Sequence, residues 1–221
     1  MLESRFRMLD LMDVELSADL LLPINAIGLV VFINGSGSGR TCPCNRQVAQ
    51  ALARLGLGTL LLDLLTETEQ RLDNLTRELR FDIALLGSRL VEVIDWIDRD
   101  PALHCLLIGL FGASTGAAAA LLAAAERPDR VHAVVSRGGR TDLATVVLPR
   151  VKAPTLQIVG AQDPLVFSLN FQSSHVLHCE QRLEVVAGAT HLFQEAGALE
   201  EVARLAGGWF EKYLREVAVI L

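Results

Sequence analysis

From residue 29 onward the chain alternates short apolar runs with stretches whose apolar residues recur every three to four positions. The runs over 30–33, 59–63, 106–111, 131–135, 155–159 and 183–186 have strand length, and the run over 106–111 with the apolar helix that follows it predicts a layer covered on both faces. Helical spacing occupies 45–55, 83–97, 115–126 and 198–213, and Pro101 and Pro128 fall where the second and third of these helices should stop. Strand and helix in regular alternation is the rhythm of parallel βαβ units. The expected fold class is therefore α/β, a mostly parallel doubly wound sheet with helices on both faces. Residues before 28 alternate loosely, as an antiparallel hairpin on the sheet edge would. The polar stretch between 64 and 82 reads as a loop, and 136–152 as a short irregular piece. No internal repeat or Pro/Gly/Ser-rich linker divides the chain, so residues 1–221 are expected to form a single domain without a cap.

Composition narrows the function classes. Hydrophobic residues are 51% of the chain and charged residues 21%, which supplies a core and excludes disordered and collagen-like classes. The segment 102–125 has no acid, Lys or Arg and is long enough to span a bilayer, yet it divides into strand, Gly-rich turn and helix, so no membrane association is expected. Net charge is −6, and only Lys152 and Lys212 are lysines, which leaves no basic run for a phosphate backbone. Nucleic acid is not an expected partner. Cys42, Cys44, Cys105 and Cys179 are too few and irregular for a disulfide scaffold, so reduced thiols are expected, and Cys42-Pro43-Cys44 lacks the usual metal-site spacing. Glu3, Asp10, Asp13 and Glu15 interrupt the N-terminal apolar residues, which speaks against a signal peptide and for a cytoplasmic address.

The strongest chemical signal is Gly112-Ala113-Ser114-Thr115-Gly116 between an apolar strand and an apolar helix. A Ser on so sharp a turn needs small residues two before and two after it, and its hydroxyl then stands at the C-terminal edge of the sheet as a nucleophile. A hydroxyl needs a base. His191 follows the last strand at the same edge, whereas His104 and His132 lie at strand starts and His175 and His178 in a helical stretch. The acid that fixes the imidazole tautomer is Asp163, after the strand before the last, with Asp142 as a rival. Backbone amides of Thr115 and of Ser36, in the loop Asn34-Gly35-Ser36-Gly37-Ser38-Gly39, are candidate oxyanion donors. The same loop, with Asp63 at the end of the next strand, imitates a dinucleotide fingerprint, but Arg40 stands where the third Gly belongs.

Taken with Ser136-Arg137-Gly138-Gly139-Arg140, Gly160-Ala161-Gln162-Asp163 and Gly188-Ala189-Thr190-His191-Leu192-Phe193, these motifs resemble the α/β-hydrolase superfamily, specifically small dienelactone hydrolase-like proteins. The resemblance covers the chain from about residue 30. It implies a Ser114, Asp163, His191 triad, an oxyanion hole of Ser36 and Thr115 amides, and no metal or organic cofactor. Two departures stand out: Ser114 replaces the Cys nucleophile of dienelactone hydrolases proper, and Asn34 stands where many relatives have His.

The expected activity is hydrolysis of a small soluble ester, or a thioester, through an acyl-enzyme, with water as the second substrate. Arg137 and Arg140, flanking two glycines at the active edge, are candidate substrate-binding residues for a carboxylate or phosphate. A non-catalytic binding or interaction protein on the same fold is the alternative, and a dinucleotide-binding protein a further one. Oligomeric state is not legible.

Overall fold

A computed structural model describes residues 4–35 and 38–215. Eight strands form one sheet: β1 (Arg5–Asp10), β2 (Glu15–Leu21), β3 (Leu29–Ile33), β4 (Gly58–Leu62), β5 (Ile108–Ala113), β6 (Val131–Arg137), β7 (Thr155–Gly160) and β8 (Gln181–Val186), in the order β1-β2-β4-β3-β5-β6-β7-β8. β1 and β2 pair antiparallel, as do β2 and β4, and every other pair is parallel. The expected edge hairpin is therefore present. β3, β4 and β5 are buried along their whole length, as a sheet covered on both faces requires.

The helices are α1 (Pro43–Arg54), α2 (Glu67–Thr76), α3 (Ile83–Ile97), α4 (Thr115–Glu126), α5 (Pro164–Ser174) and α6 (Ala198–Leu214). α1 and α6 cover one face, where Val48, Leu52, Val202 and Phe210 meet Phe32, Phe111 and Val135. α3 and α4 cover the other, where Leu90, Ile94 and Leu121 meet Val31, Ile33 and Leu110. Alanines make α4 thin enough to lie buried between the sheet and α3, and ten of its twelve residues are buried.

One expected loop is a helix. Residues 64–82 contain α2, which buries only Asp73 and so carries no apolar stripe for sequence periodicity to detect. It is held by polar contacts instead. Thr66 and Glu69 form a reciprocal capping box, Arg80 pairs with Asp73, and the Arg89 guanidinium donates to both Glu69 carboxylate oxygens and to the Leu64 carbonyl. That pairing holds the Glu69 carboxyl down at about 2.

The sheet order places the functional edge. The chain leaves β3 toward β4 on one side, and β5 lies on the other, so a crevice opens between the loops that follow β3 and β5. Among the described residues, no helix is long and apolar enough to cross a membrane.

Candidate active site

The turn after β5 holds Ser114 at φ 50° and ψ −120°, a conformation rarely taken by a residue with a side chain. The neighbours explain how it is tolerated. A Cβ on Gly112 would come within 2.5 Å of the Ala117 Cα, and one on Gly116 within 2.5 Å of the Ile33 carbonyl oxygen. Only glycine lets α4 start directly against β3 and β5. The Ser114 backbone is tied into the sheet edge: its N–H donates to the Arg137 carbonyl at 3.1 Å, and its carbonyl accepts from the Arg140 and Ala117 amides.

His191 lies on the loop after β8, and its Nδ1 meets Asp163 Oδ2 at 2.6 Å. Two features hold this loop in place. The Phe193 ring is fully buried in the core under α6, with its backbone at φ 54°, and a Cβ on Gly160 would fall 2.4 Å from the Ala189 carbonyl oxygen. Asp163 is fixed in turn as the N-cap of α5, where its Oδ1 accepts from the Val166 amide and Pro164 begins the helix. One carboxylate oxygen thus serves the helix and the other the imidazole. With Nδ1–H donated to Asp163, Nε2 is left as the acceptor.

Ser114, Thr115, Asp163, His191, Arg137 and Arg140 all line one cavity of about 670 Å³. The rival Asp142 does not meet His191: both its carboxylate oxygens are taken by the Arg140 guanidinium, at 2.9 and 2.8 Å. Three of the other four histidines bond elsewhere, His104 to the Asp100 carbonyl, His132 to that of Arg130, and His175 to that of Phe171, and His178 is not among the residues lining the cavity. Ser36 lies outside the described residues. The start of its loop is anchored, since Asn34 donates to the Leu62 carbonyl at 2.8 Å and accepts from Asn45 at 2.5 Å. Asp63, the acid a ribose would need, instead accepts from the Arg40 amide at 2.7 Å and pairs with the Arg40 guanidinium, while burial raises its carboxyl above the usual range.

Arg137 differs from the other buried arginine, Arg89, which has Glu69 as partner. Its guanidinium makes no ion pair among the described residues, its Nη1 is buried without a hydrogen-bond partner, and burial alone pulls its pKa down to about 10. The guanidinium carbon lies 6.0 Å from the centre of the Phe193 ring.

The structure corrects one expectation about the cysteines. Cys42 and Cys44 are joined in a disulfide, because the turn through Pro43 into α1 brings their Cα atoms to 5.5 Å, a separation the bond accepts. Cys105 and Cys179 are free. The cystine lines the cavity with Phe81, Leu165, Leu192 and Gln194, none of which sequence spacing singled out as wall residues. Among the described residues, no group of three or more His, Cys, Asp or Glu side chains is placed to hold a metal ion.

No family model matches the chain. The crystal structure of a dienelactone hydrolase from Anabaena variabilis ATCC 29413 is 51% identical, with a TM-score of 0.95, over 97% of this chain and 99% of that one. Est1E from Butyrivibrio proteoclasticus shares the fold at 16% identity and a TM-score of 0.78, over 94% of this chain and 98% of that one. Two Mycobacterium tuberculosis proteins, named "Putative phosphoribosyl transferase Rv0571c" and "Putative phosphoribosyl transferase MT0597", are 50% identical over 201 residues, or 91% of this chain. The chain spans only 44% of the length of these two curated relatives. Half of its residues are shared with the Anabaena protein across nearly the whole of both chains, and on that ground the chain belongs to the dienelactone hydrolase family of α/β-hydrolases.

Proposed function

We propose that the chain is a serine hydrolase cleaving a carboxylic ester, or a thioester, of a small molecule through an acyl-enzyme. The observation that carries this reading is the 2.6 Å contact between His191 Nδ1 and Asp163 Oδ2 in the cavity that also holds Ser114. Ser114 Oγ attacks the carbonyl carbon while His191 Nε2 takes its proton, and Asp163 stabilises the imidazolium without itself being protonated. Negative charge collects on the carbonyl oxygen. The Thr115 amide, first in α4, and an amide of the 35–38 loop, expected at Ser36, are its donors, aided by the positive end of α4. His191 then gives its proton to the leaving oxygen. Water, activated by the same imidazole, attacks the acyl-enzyme and releases Ser114.

Phosphoribosyl transfer, the activity in the name of the M. tuberculosis proteins, is not carried over, since the chain matches less than half of their length. Hydrolysis of p-nitrophenyl butyrate by wild type, Ser114→Ala and His191→Ala tests the proposal. Turnover in wild type that vanishes in both variants is the expected result. Folded wild-type protein without turnover on short-chain esters or thioesters would favour a non-catalytic binding role.

A further inference from the structure

Charge is offset almost everywhere in the buried parts of this molecule. Arg89 is paired with Glu69, Arg80 with Asp73, and Arg40 and Arg46 with Asp19. Arg140, one of the two candidate anion ligands, is likewise neutralised by the two-point contact with Asp142. Arg137 stands apart: it is nine-tenths buried, it opens on the cavity of Ser114, and no carboxylate among the described residues faces it. An isolated buried cation is unfavourable, and a ligand of opposite charge in the cavity would offset that cost.

Its position relative to the chemistry can be read from the neighbours. β6 pairs with β5 so that Arg137 is level with Ala113, and the Ser114 amide is bonded to the Arg137 carbonyl. On the other side, a Cβ at Gly138 would sit 3.5 Å from the His191 ring, and the guanidinium lies over Phe193, two residues beyond His191. Arg137 therefore belongs to the His191 side of the nucleophile. In acyl transfer that side holds the leaving oxygen, because the imidazole must deliver its proton there.

We propose that Arg137 forms an anion subsite for the leaving alcohol, so that the substrate is an ester of a hydroxy compound carrying a carboxylate or phosphate group. This rests on the serine-hydrolase reading above. The planar guanidinium offers paired N–H donors to two oxygens of either group. Phe81, Leu165 and Leu192 give the cavity an apolar stretch of wall, beside the uncharged Ser38 and Gln194, which suits an uncharged acyl part. Arg140 is assigned no share, because its charge is already offset by Asp142, which takes its Nε and Nη2 donors.

The test compares acetyl esters of matched alcohols: p-acetoxybenzoate and p-acetoxyphenyl phosphate, which carry the anion on the leaving side, and neutral p-acetoxybenzamide. The p-nitrophenyl hemiester of glutaric acid carries its anion on the acyl side. Wild type should favour one of the leaving-side anions over the amide, and whichever is favoured tells carboxylate from phosphate. In Arg137→Gln the ratio of kcat/KM for that anion over the amide should fall by about 30-fold or more, as expected when a buried ionic hydrogen bond is cut. Arg137→Lys should recover part of it. Equal losses on charged and neutral esters, or a loss confined to the hemiester, would overturn the proposal. A second readout does not depend on turnover. In Ser114→Ala, p-hydroxybenzoate or p-hydroxyphenyl phosphate should raise Tm, and adding Arg137→Gln should abolish the shift. Absence of any such shift in Ser114→Ala counts against the subsite, whereas failure of wild type on every ester counts against the serine-hydrolase reading.

Discussion

If Arg137 is an unpaired buried cation, removing its charge should make the free protein more stable. Held at about 10 rather than in its ordinary range, the guanidinium costs about 3 kcal/mol in the folded state at neutral pH. Arg137→Met keeps much of the stem's volume and removes the charge, while giving up the contact with Phe193, worth about 1 kcal/mol. The net expectation is a gain of about 2 kcal/mol, which for a chain of this size raises Tm by roughly 4–8 °C. The sign of the pH dependence follows from the direction of the shift. Because the folded pKa lies below the unfolded one, the penalty is constant below about pH 9 and is relieved only as pH rises past about 10. Urea unfolding of wild type and Arg137→Met at pH 6, 7.5 and 9 should therefore give the same gap at each pH. Loss of stability in Arg137→Met, beyond what the aromatic contact accounts for, would refute the reasoning and mean that the cation has a partner in the folded chain.

Three further outcomes follow from the same geometry. Asp163→Asn retains an N-cap for α5 but presents the wrong partner to His191 Nδ1, so stability should change little while kcat on p-nitrophenyl butyrate falls by about 10³-fold or more. Glu69→Gln should cost up to about 3 kcal/mol at neutral pH, since it leaves Arg89 buried without its carboxylate. The depressed Glu69 pKa makes that contribution fully present above about pH 4.5 and lost as pH falls toward 2, so the wild-type and variant urea curves should converge in acid. Reducing the Cys42–Cys44 disulfide closes no large loop and should cost less than about 2 kcal/mol, measurable as a Tm difference with and without dithiothreitol.

The parts of this molecule that sequence exposes are those encoded in apolar periodicity and in glycine. The strands β3 to β8, the helix α3 and the Ser114 turn are legible because each carries a largely apolar run of strand length, apolar residues at helical spacing or a small-residue pattern. α2 is not, because its stability comes from Glu69, Asp73 and their arginine partners rather than from an apolar face, although Thr66 and Glu69 at capping-box spacing mark its start. The two arginines at the end of β6 and just beyond it look alike in sequence. Only the fold shows that Asp142 reaches Arg140 and that nothing among the described residues neutralises Arg137. The Phe193 anchor under the His191 loop is also invisible, since an aromatic at positive φ gives no local pattern. The cystine could have been suspected from Cys-Pro-Cys, but its bonding depends on how Pro43 turns into α1.

Nucleophilicity of Ser114 is measured most directly by reacting the purified protein with a fluorophosphonate and mapping the adduct by peptide mass spectrometry. The expected product is a single phosphonyl group on Ser114 Oγ, formed slowly in His191→Ala and absent in Ser114→Ala. An adduct on any other residue, or no adduct on folded wild-type protein, would contradict a nucleophilic Ser114.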